Sequence, residues 1–288
     1  YYVSSSTGDD SNDGLSPSTA WQTLAKVNSF SFSPGDKVLF KRGDTWDEKL
    51  IPMSSGDSES PIVFSAYGEG DRPLVRGIKL TKVNYLKFQG LQSNMPDDAS
   101  LNCLFIRGCH DLLFEDCVFD GLNIATDGYH QAVSVNWASD YTESYNVTFR
   151  KCVVRNSGPM VSHPEYGGGL CINKGSHDII VEDCIIYDNI EVNTQAYSDS
   201  DSYWVYNVVW RNNVVYNTFP FPDDYSGGIN VGWRCKDALI EGNLVYNCNT
   251  PIQVDSNCVY GPYIIRNNVV VNGSWALIRV LANSWGEC

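Results

Sequence analysis

The sequence predicts an all-β fold, a right-handed parallel β-helix closed at its N-terminal end by a cap with one short helix. Three observations predict it. A pattern of large apolar, two polar, Cys or Asn, and two apolar residues recurs six times: Phe114–Phe119, Phe149–Val154, Val181–Ile186, Trp210–Val215, Ile240–Val245 and Ile265–Val270. The Cys/Asn positions (Cys117, Cys152, Cys184, Asn213, Asn243, Asn268) are spaced by 35, 32, 29, 30 and 25 residues, the period of a stacked architecture. A second polar column follows each copy, at Gly121, Asn156, Asp188, Asn217, Asn247 and Asn272. Finally, the copies are rich in Val, Ile, Phe, Tyr and Trp and show no spacing of i, i+3, i+4, so each unit reads as strands and turns. Stacking then places each Asn about 4.8 Å from its equivalent in the next coil, where one amide can donate to the next. The six Cys/Asn positions are therefore expected to form one inward column.

Taken in order, residues 1–85 match the pattern poorly and read as the cap with its first irregular strands. Tyr1–Ser4 is a short strand, and Ser5–Pro17 is a polar loop. Thr19–Phe30 carries Trp21, Leu24, Ala25 and Val27 at helical spacing and reads as the helix. Pro34-Gly-Asp turns into a strand at Lys37–Phe40, and Ile62–Ser65 is another. A solenoid end exposes unpaired strand edges, and such a cap protects them. Residues 86–288 read as the coils of one continuous domain, with Leu86–Leu91 a degenerate first copy.

Composition narrows the function. With 20 Lys+Arg against 34 Asp+Glu, the net charge of −14 argues against nucleic acid and anionic membrane as partners. Apolar runs long enough to span a membrane are absent from the sequence. The chain opens at Tyr1-Tyr2-Val3 with no signal peptide, as a processed extracellular protein would. Of its ten cysteines, Cys117, Cys152 and Cys184 fall in the repeat column and read as buried thiols. Cys235 and Cys258 lie at equivalent turns of neighbouring coils and are the expected disulfide, with Cys103, Cys109, Cys248 and Cys288 as other partners.

The run Gly8-Asp-Asp-Ser-Asn-Asp-Gly14, Ser16-Pro-Ser-Thr-Ala-Trp21 and Pro34-Gly-Asp-Lys-Val-Leu-Phe-Lys-Arg-Gly43, with Pro61–Pro73 after it, resembles secreted parallel β-helix proteins of the pectate-lyase-like superfamily. The resemblance covers about the first 80 residues by motif and the rest by repeat type. It implies an extracellular chain acting on a polysaccharide, as a glycoside hydrolase or a polysaccharide lyase. Lyases of this superfamily use Lys or Arg as base, often with Ca²⁺ on the substrate carboxylate. Lys174, Arg155 and Arg234 are the bases this likeness would offer, and acidic turn tips could hold Ca²⁺.

Excursions from the repeat at Leu122–Tyr129, Ser157–Tyr166, Ile190–Tyr203 and Thr218–Tyr225 are where a site would be built. Three of the four re-enter the coils alike, each with a tyrosine (Tyr129, Tyr166, Tyr225) preceded by carboxylates (Asp127, Glu165, Asp223, Asp224), with His130 and His163 nearby. The expected site is a glycan cleft in which Tyr129, Tyr166, Tyr225, His163 and Lys174 bind and Asp127, Glu165 and Asp224 do the chemistry. Glu165 between Pro164 and Tyr166 is the expected acid and Asp224 the base. Asp127 and Glu165 should lie about one rung (4.8 Å) apart and Glu165 and Asp224 about two (10 Å). Retaining and inverting glycosidases hold their carboxyls about 5–5.5 Å and about 6.5–9.5 Å apart respectively. His110 and His177 occupy equivalent turns before Asp111 and Asp178 and read as structural. The competing reading is a non-catalytic extracellular solenoid that is structural, adhesive or self-associating. In that reading the tyrosines stack on one another and the acids merely solvate turns.

Overall fold

The computed structural model describes residues 1–95, 102–122, 131–157, 167–219, 227–254 and 262–280. Among these, three sheets of ten, nine and eight strands run the length of the molecule, and every strand pair in them is parallel. Each coil contributes one strand to each sheet in turn, so consecutive strands of one sheet are one coil apart. This is the parallel β-helix that the repeat predicts. Right-handed crossovers are the rule for parallel connections of this kind.

The coils begin earlier than the repeat suggests. Lys37–Lys41 and Ile62–Tyr67 lie in the first sheet beside Leu86–Gln89, and Leu74–Val75 and Ile78–Thr81 extend the second and third. Pairing at this end relies on aromatic stacking instead of the Cys/Asn column. Phe64, Phe88, Phe114 and Phe149 form one buried file with ring centroids 5.0, 5.0 and 5.1 Å apart.

The helix expected over Thr19–Phe30 is shorter. A 3₁₀ turn at Pro17–Thr19 precedes an α-helix at Leu24–Ser29, which Thr23 caps by accepting the Lys26 N–H. Trp21 is withdrawn from the helix because its backbone bridges Val3, accepting from Ser4 N and donating to Tyr2 O. Its ring stacks on Tyr1 at 4.8 Å and packs against Phe30, at the edge strand of the first sheet. Long-range pairing thus overrides a local helical spacing.

The Cys/Asn positions occupy one column at the corner between the first and second sheets, and the hydrogen bonds explain why both residue types serve. The amides of Asn213, Asn243 and Asn268 donate to Val181 O, Trp210 O and Ile240 O of the preceding coils, at 2.9, 3.0 and 2.8 Å. The thiols of Cys117, Cys152 and Cys184 point at the equivalent carbonyls of Phe88, Phe114 and Phe149, at 3.6, 3.4 and 3.5 Å. Between Asn residues the amides also bond each other, Asn213 Nδ2 to Asn243 Oδ1 and Asn243 Nδ2 to Asn268 Oδ1, both at 2.9 Å. The three thiols are unpaired with other sulfurs and buried; burial pushes the Cys117 and Cys152 thiols well above their ordinary pKa.

The residue before each column position takes a left-handed conformation (Asp116, Lys151, Asp183, Asn212, Gly242, Asn267), as do Asn156, Asp188, Asn217, Asn247 and Asn272 of the second polar column. Asn, Asp and Gly tolerate positive φ best, so these columns are turn chemistry. The outer face of the first sheet carries two further files. Arg150 and Arg211 both donate to Glu182 at 2.6 Å, and Arg266 to Glu241 at 2.8 Å. His110, Tyr145, His177 and Tyr206 stack at 4.8, 5.0 and 4.4 Å, with His110 and His177 each bonded to the following Asp at 2.7 Å. The structural reading of the two histidines agrees with this arrangement.

Candidate functional site

Three of the four expected excursions leave the coil at the same corner. The segments 123–130, 158–166 and 220–226 each join a strand of the second sheet to one of the third, on coils whose third-sheet strands (Gln131–Asn136, Gly168–Ile172, Gly227–Val231) are stacked in order. Asp127, Tyr129, His163, Glu165, Tyr166, Asp224 and Tyr225 fall in these segments and lie outside the described residues. The coil order matches the rung arithmetic: one coil, that of Val192–Ala196, separates the second of these strands from the third. The fourth expected excursion is different. Ile190 ends one strand and Val192–Ala196 is the next, and the chain departs only at Tyr197–Trp204, on the opposite corner of the third sheet.

These two corners flank the outer face of the third sheet. Its outward column, in register from coil to coil, is Lys79, Phe105, Ser134, Cys171, Gln195, Asn230, Gln253 and Arg279. An outward strand face normally puts charged, hydrated side chains in water. Here the middle of the column is neutral and largely buried, with Ser134, Cys171 and Gln253 at 2%, 0% and 5% exposure. Some of its polar atoms have no partner: Asn230 Oδ1 and Gln253 Nε2 are buried and unbonded, as are Arg107 Nε and Asn136 Oδ1 on the same face. Buried polar groups are nearly always paired, so these two pairs of atoms, one at each end of the face, are exceptions that a hydroxyl-bearing ligand would satisfy once the side chains covering them move aside. Gly168 is required by close packing, because a Cβ there would come within 2.6 Å of Cys171 Sγ.

Aromatic rings border the face at the far corner. Trp137 packs edge-on against Tyr141 and Tyr203 at 4.9 and 4.1 Å, and Tyr141 is 57% exposed. Lys174 sits 5.6 Å over the Trp137 ring and is paired with Asp199 at 2.7 Å. The structure therefore places Lys174 beside the face, held by an acid. Arg234 is also at this corner, bonded to Asp201 at 2.7 Å. Arg155 lies on the second sheet, donating to Asp120 at 2.8 Å and to Tyr187 Oη at 2.9 Å. That bond to Tyr187 raises its pKa; burial works against it, and the Asp120 charge helps keep it above the ordinary value. The three basic residues are thus not brought together, and each is paired with an acid.

Near the excursion-bearing corner the structure adds a residue that the sequence reading passed over. Only Glu191 separates Ile185–Ile190 from Val192–Ala196, and it takes φ +60°. Beneath it Asn189 and Asn193, both fully buried, bond each other at 2.9 Å; Asn189 also reaches Val154 O at 3.3 Å and Asn193 reaches Tyr216 O at 3.0 Å. Gly169 is required here, since a Cβ would meet Asn193 O at 2.3 Å. Burial pushes the Glu191 carboxyl up to about 7, and the Gly167 N–H, 2.6 Å from Oε2, pulls it partly back. The sequence signal was available: Glu191 stands where neighbouring coils insert a loop and this one does not.

A shallow groove of about 620 Å³ also runs along the outer face of the second sheet, over Val118, Val153, Ile185, Tyr187 and Tyr216. Its arginines are already paired: Arg72 forks onto Asp116 at 2.7 and 2.8 Å, and Arg155 is held as above. Tyr187, Tyr216 and Tyr246 stack on each other at 4.8 and 4.9 Å, so their faces are not free to stack on a sugar. The third-sheet face is the better candidate. Among the described residues no three His, Cys, Asp or Glu side chains cluster as metal ligands, and no helix is long and apolar enough to cross a membrane.

No family model matches the chain. A curated lacto-N-biosidase of Bifidobacterium longum subsp. longum is 38% identical over 87 residues, 27% of this chain and 5% of that protein. Among solved structures, a GH136 lacto-N-biosidase from Eubacterium ramulus is similar at TM-score 0.60 and 17% identity, over 96% of this chain and 57% of that one. Pectate lyase Pel9A is similar at TM-score 0.61 and 14% identity, over 98% of this chain and 76% of that one. The chain thus spans a small part of the curated relative and little more than half of the first structure. These likenesses show the fold: the chain is a parallel β-helix of the architecture shared by these carbohydrate-active proteins.

Proposed function

We propose that this chain is an extracellular protein that binds a polysaccharide along the outer face of its third sheet and cleaves glycosidic bonds by hydrolysis. The unpaired polar atoms on that face (Arg107 Nε, Asn136 Oδ1, Asn230 Oδ1 and Gln253 Nε2), between an aromatic rim and the corner from which the three excursions leave, carry the reading. An extended glycan advances by roughly one sugar per rung, so its hydroxyls can meet successive side chains of one column. The likeness to two lacto-N-biosidases favours hydrolysis over elimination. Asp127, Glu165 and Asp224 remain the acids proposed for the excursions, and a Ca²⁺ site remains a proposal of the resemblance alone. Binding to a panel of immobilised neutral and uronate glycans tests the reading. Retention on a neutral glycan that is lost in Asn230→Leu and Gln253→Leu supports it; retention unaffected by both variants places the glycan elsewhere.

A further inference from the structure

The unpaired atoms of the third-sheet face fall into two patches. Arg107 and Asn136 are paired in register on adjacent coils, and Asn230 and Gln253 are paired likewise. Each patch has an exposed ring at its end of the aromatic rim. Tyr141 follows Asn136 on the same coil and is 57% exposed; Trp233 follows Asn230 on the same coil and is 42% exposed. Both rings are held by neighbours: Tyr141 stacks on Tyr203 at 5.2 Å, and Trp233 tilts against Tyr197 at 6.5 Å. A ring fixed in this way loses little conformational freedom when a sugar packs on it. Two coils lie between the patches, those of Gly168–Ile172 and Val192–Ala196. Their polar side chains here are already engaged: Asn173 Nδ2 donates to Ser134 Oγ at 3.1 Å, Gln195 Nε2 to Cys171 Sγ at 3.5 Å, and Lys174 Nζ to Asp199 at 2.7 Å. Among the described residues, neither coil has an unpaired buried side-chain atom on the third sheet or an exposed ring at the rim. Asn136 and Asn230 are three rungs apart, about 14 Å along the axis, with Asn136 set two residues nearer the rim.

We infer that the face grips a linear glycan at these two patches and not between them, so that its ligand is a chain of at least four sugars; the inference rests on the glycan-binding face proposed above. At roughly one sugar per rung, a chain lying along the axis puts one sugar on the Tyr141 patch and the third sugar after it on the Trp233 patch. Each of these sugars packs on a ring and directs hydroxyls to the unpaired atoms beside it, once the side chains over those atoms move aside. The two sugars between them pass over groups that the protein has already satisfied. A chain of three sugars reaches one patch only. The fourth sugar engages the second patch intramolecularly, so affinity rises in one step instead of sugar by sugar.

The probe is a size ladder of two to six sugars, made by partial acid hydrolysis of the polysaccharide that retains the wild-type protein. Each fragment is used in the cold, before cleavage sets in, to release the protein from that immobilised polysaccharide, and the concentration giving half release is read. Wild type should need about ten-fold less of the four-sugar fragment than of the three-sugar one, with changes below about three-fold at the other steps. Tyr141→Ala and Trp233→Ala should each remove the step. Each should raise the half-release concentration of the three-sugar fragment by no more than about two-fold, because the other patch still binds it. Tyr141→Phe and Trp233→Phe, which keep a ring, should keep the step, and thermal melting checks that all four variants fold. A smooth gain with length, a step at another length, or variants that weaken every fragment equally overturn the two-point grip while leaving the glycan reading standing. A protein retained by no polysaccharide overturns both, and that result is seen before any fragment is cut.

Discussion

Replacing Asn243 probes the internal column most sharply. Its Nδ2 donates to Trp210 O and Asn268 Oδ1, and its Oδ1 accepts both the backbone N–H and the side-chain amide of Asn213. Leu at this position, 1% exposed, leaves Trp210 O and two Asn213 donors unpaired in a dry interior. At about 1–3 kcal/mol for each orphaned buried group, with some relaxation, the loss should be about 3–6 kcal/mol. Cys should cost less, about 1–3 kcal/mol, because its thiol can serve Trp210 O as Cys184 serves Phe149 O and only the Asn213 donors lose their acceptor. Urea denaturation gives the stabilities. Native-state hydrogen exchange of the Asn213 amide gives a local check, since that N–H is the group Asn243 covers. The reasoning is refuted if Asn243→Leu lies within about 0.5 kcal/mol of wild type, a change ordinary for a surface site, or if Cys is as damaging as Leu.

Other consequences can be measured in the same way. For Glu182, burial raises the carboxyl pKa but the bonds from Arg150 and Arg211 outweigh it and hold it low. Its contribution is therefore complete above the unfolded carboxylate range and fades as pH falls through the folded value. Glu182→Ala should cost about 1–3 kcal/mol at pH 7 and much less at pH 3, the arginines being about 40% exposed. Glu191 has the opposite sign: with a folded pKa near 7 against 4.5, its ionisation costs stability as pH rises through that window. Glu191→Gln should match wild type at pH 4 and exceed it by up to about 3 kcal/mol at pH 8 in urea titrations. Asn230→Leu removes an unpaired buried oxygen and should be neutral or stabilising while abolishing glycan retention, whereas a loss of both would mean that the side chain is structural. Non-reducing peptide mapping tests the proposed Cys235–Cys258 disulfide, which is wrong if both sulfurs are alkylated without reductant.

What the sequence made legible follows from what repeats. The Cys/Asn column could be read because every coil must satisfy the same carbonyl at the same corner, so Cys184 and Asn213 betray one another by position. The second turn column was equally visible, since Asn, Asp and Gly are the residues that best suit a left-handed corner, yet the reason for it needed φ angles. Phe64, stacked on Phe88, carries the file into the first 85 residues without a Cys or Asn to mark it, so the sequence there reads as irregular strands. Trp21 satisfied a helical spacing and a strand bridge equally, and only its pairing with Val3 decided between them. The floor of the site was invisible for another reason. Asn230 and Gln253 are ordinary residues on an outward strand face, and their significance lies in one atom of each, Asn230 Oδ1 and Gln253 Nε2, being buried there without a partner. Glu191 was hidden by its own lack of an insertion, which made Ile190–Tyr203 look like one excursion instead of a sharp corner and a later loop.

Incubating the protein with a broad panel of neutral and uronate glycans, and following new reducing ends together with the ultraviolet absorbance of unsaturated uronates, tests the central claim directly. The account predicts new reducing ends from a neutral glycan with no rise in absorbance. Absorbance rising in step with the reducing ends would mean elimination, and contradicts the hydrolytic role given to the third-sheet face. No cleavage of any glycan would leave the parallel β-helix as a non-catalytic solenoid.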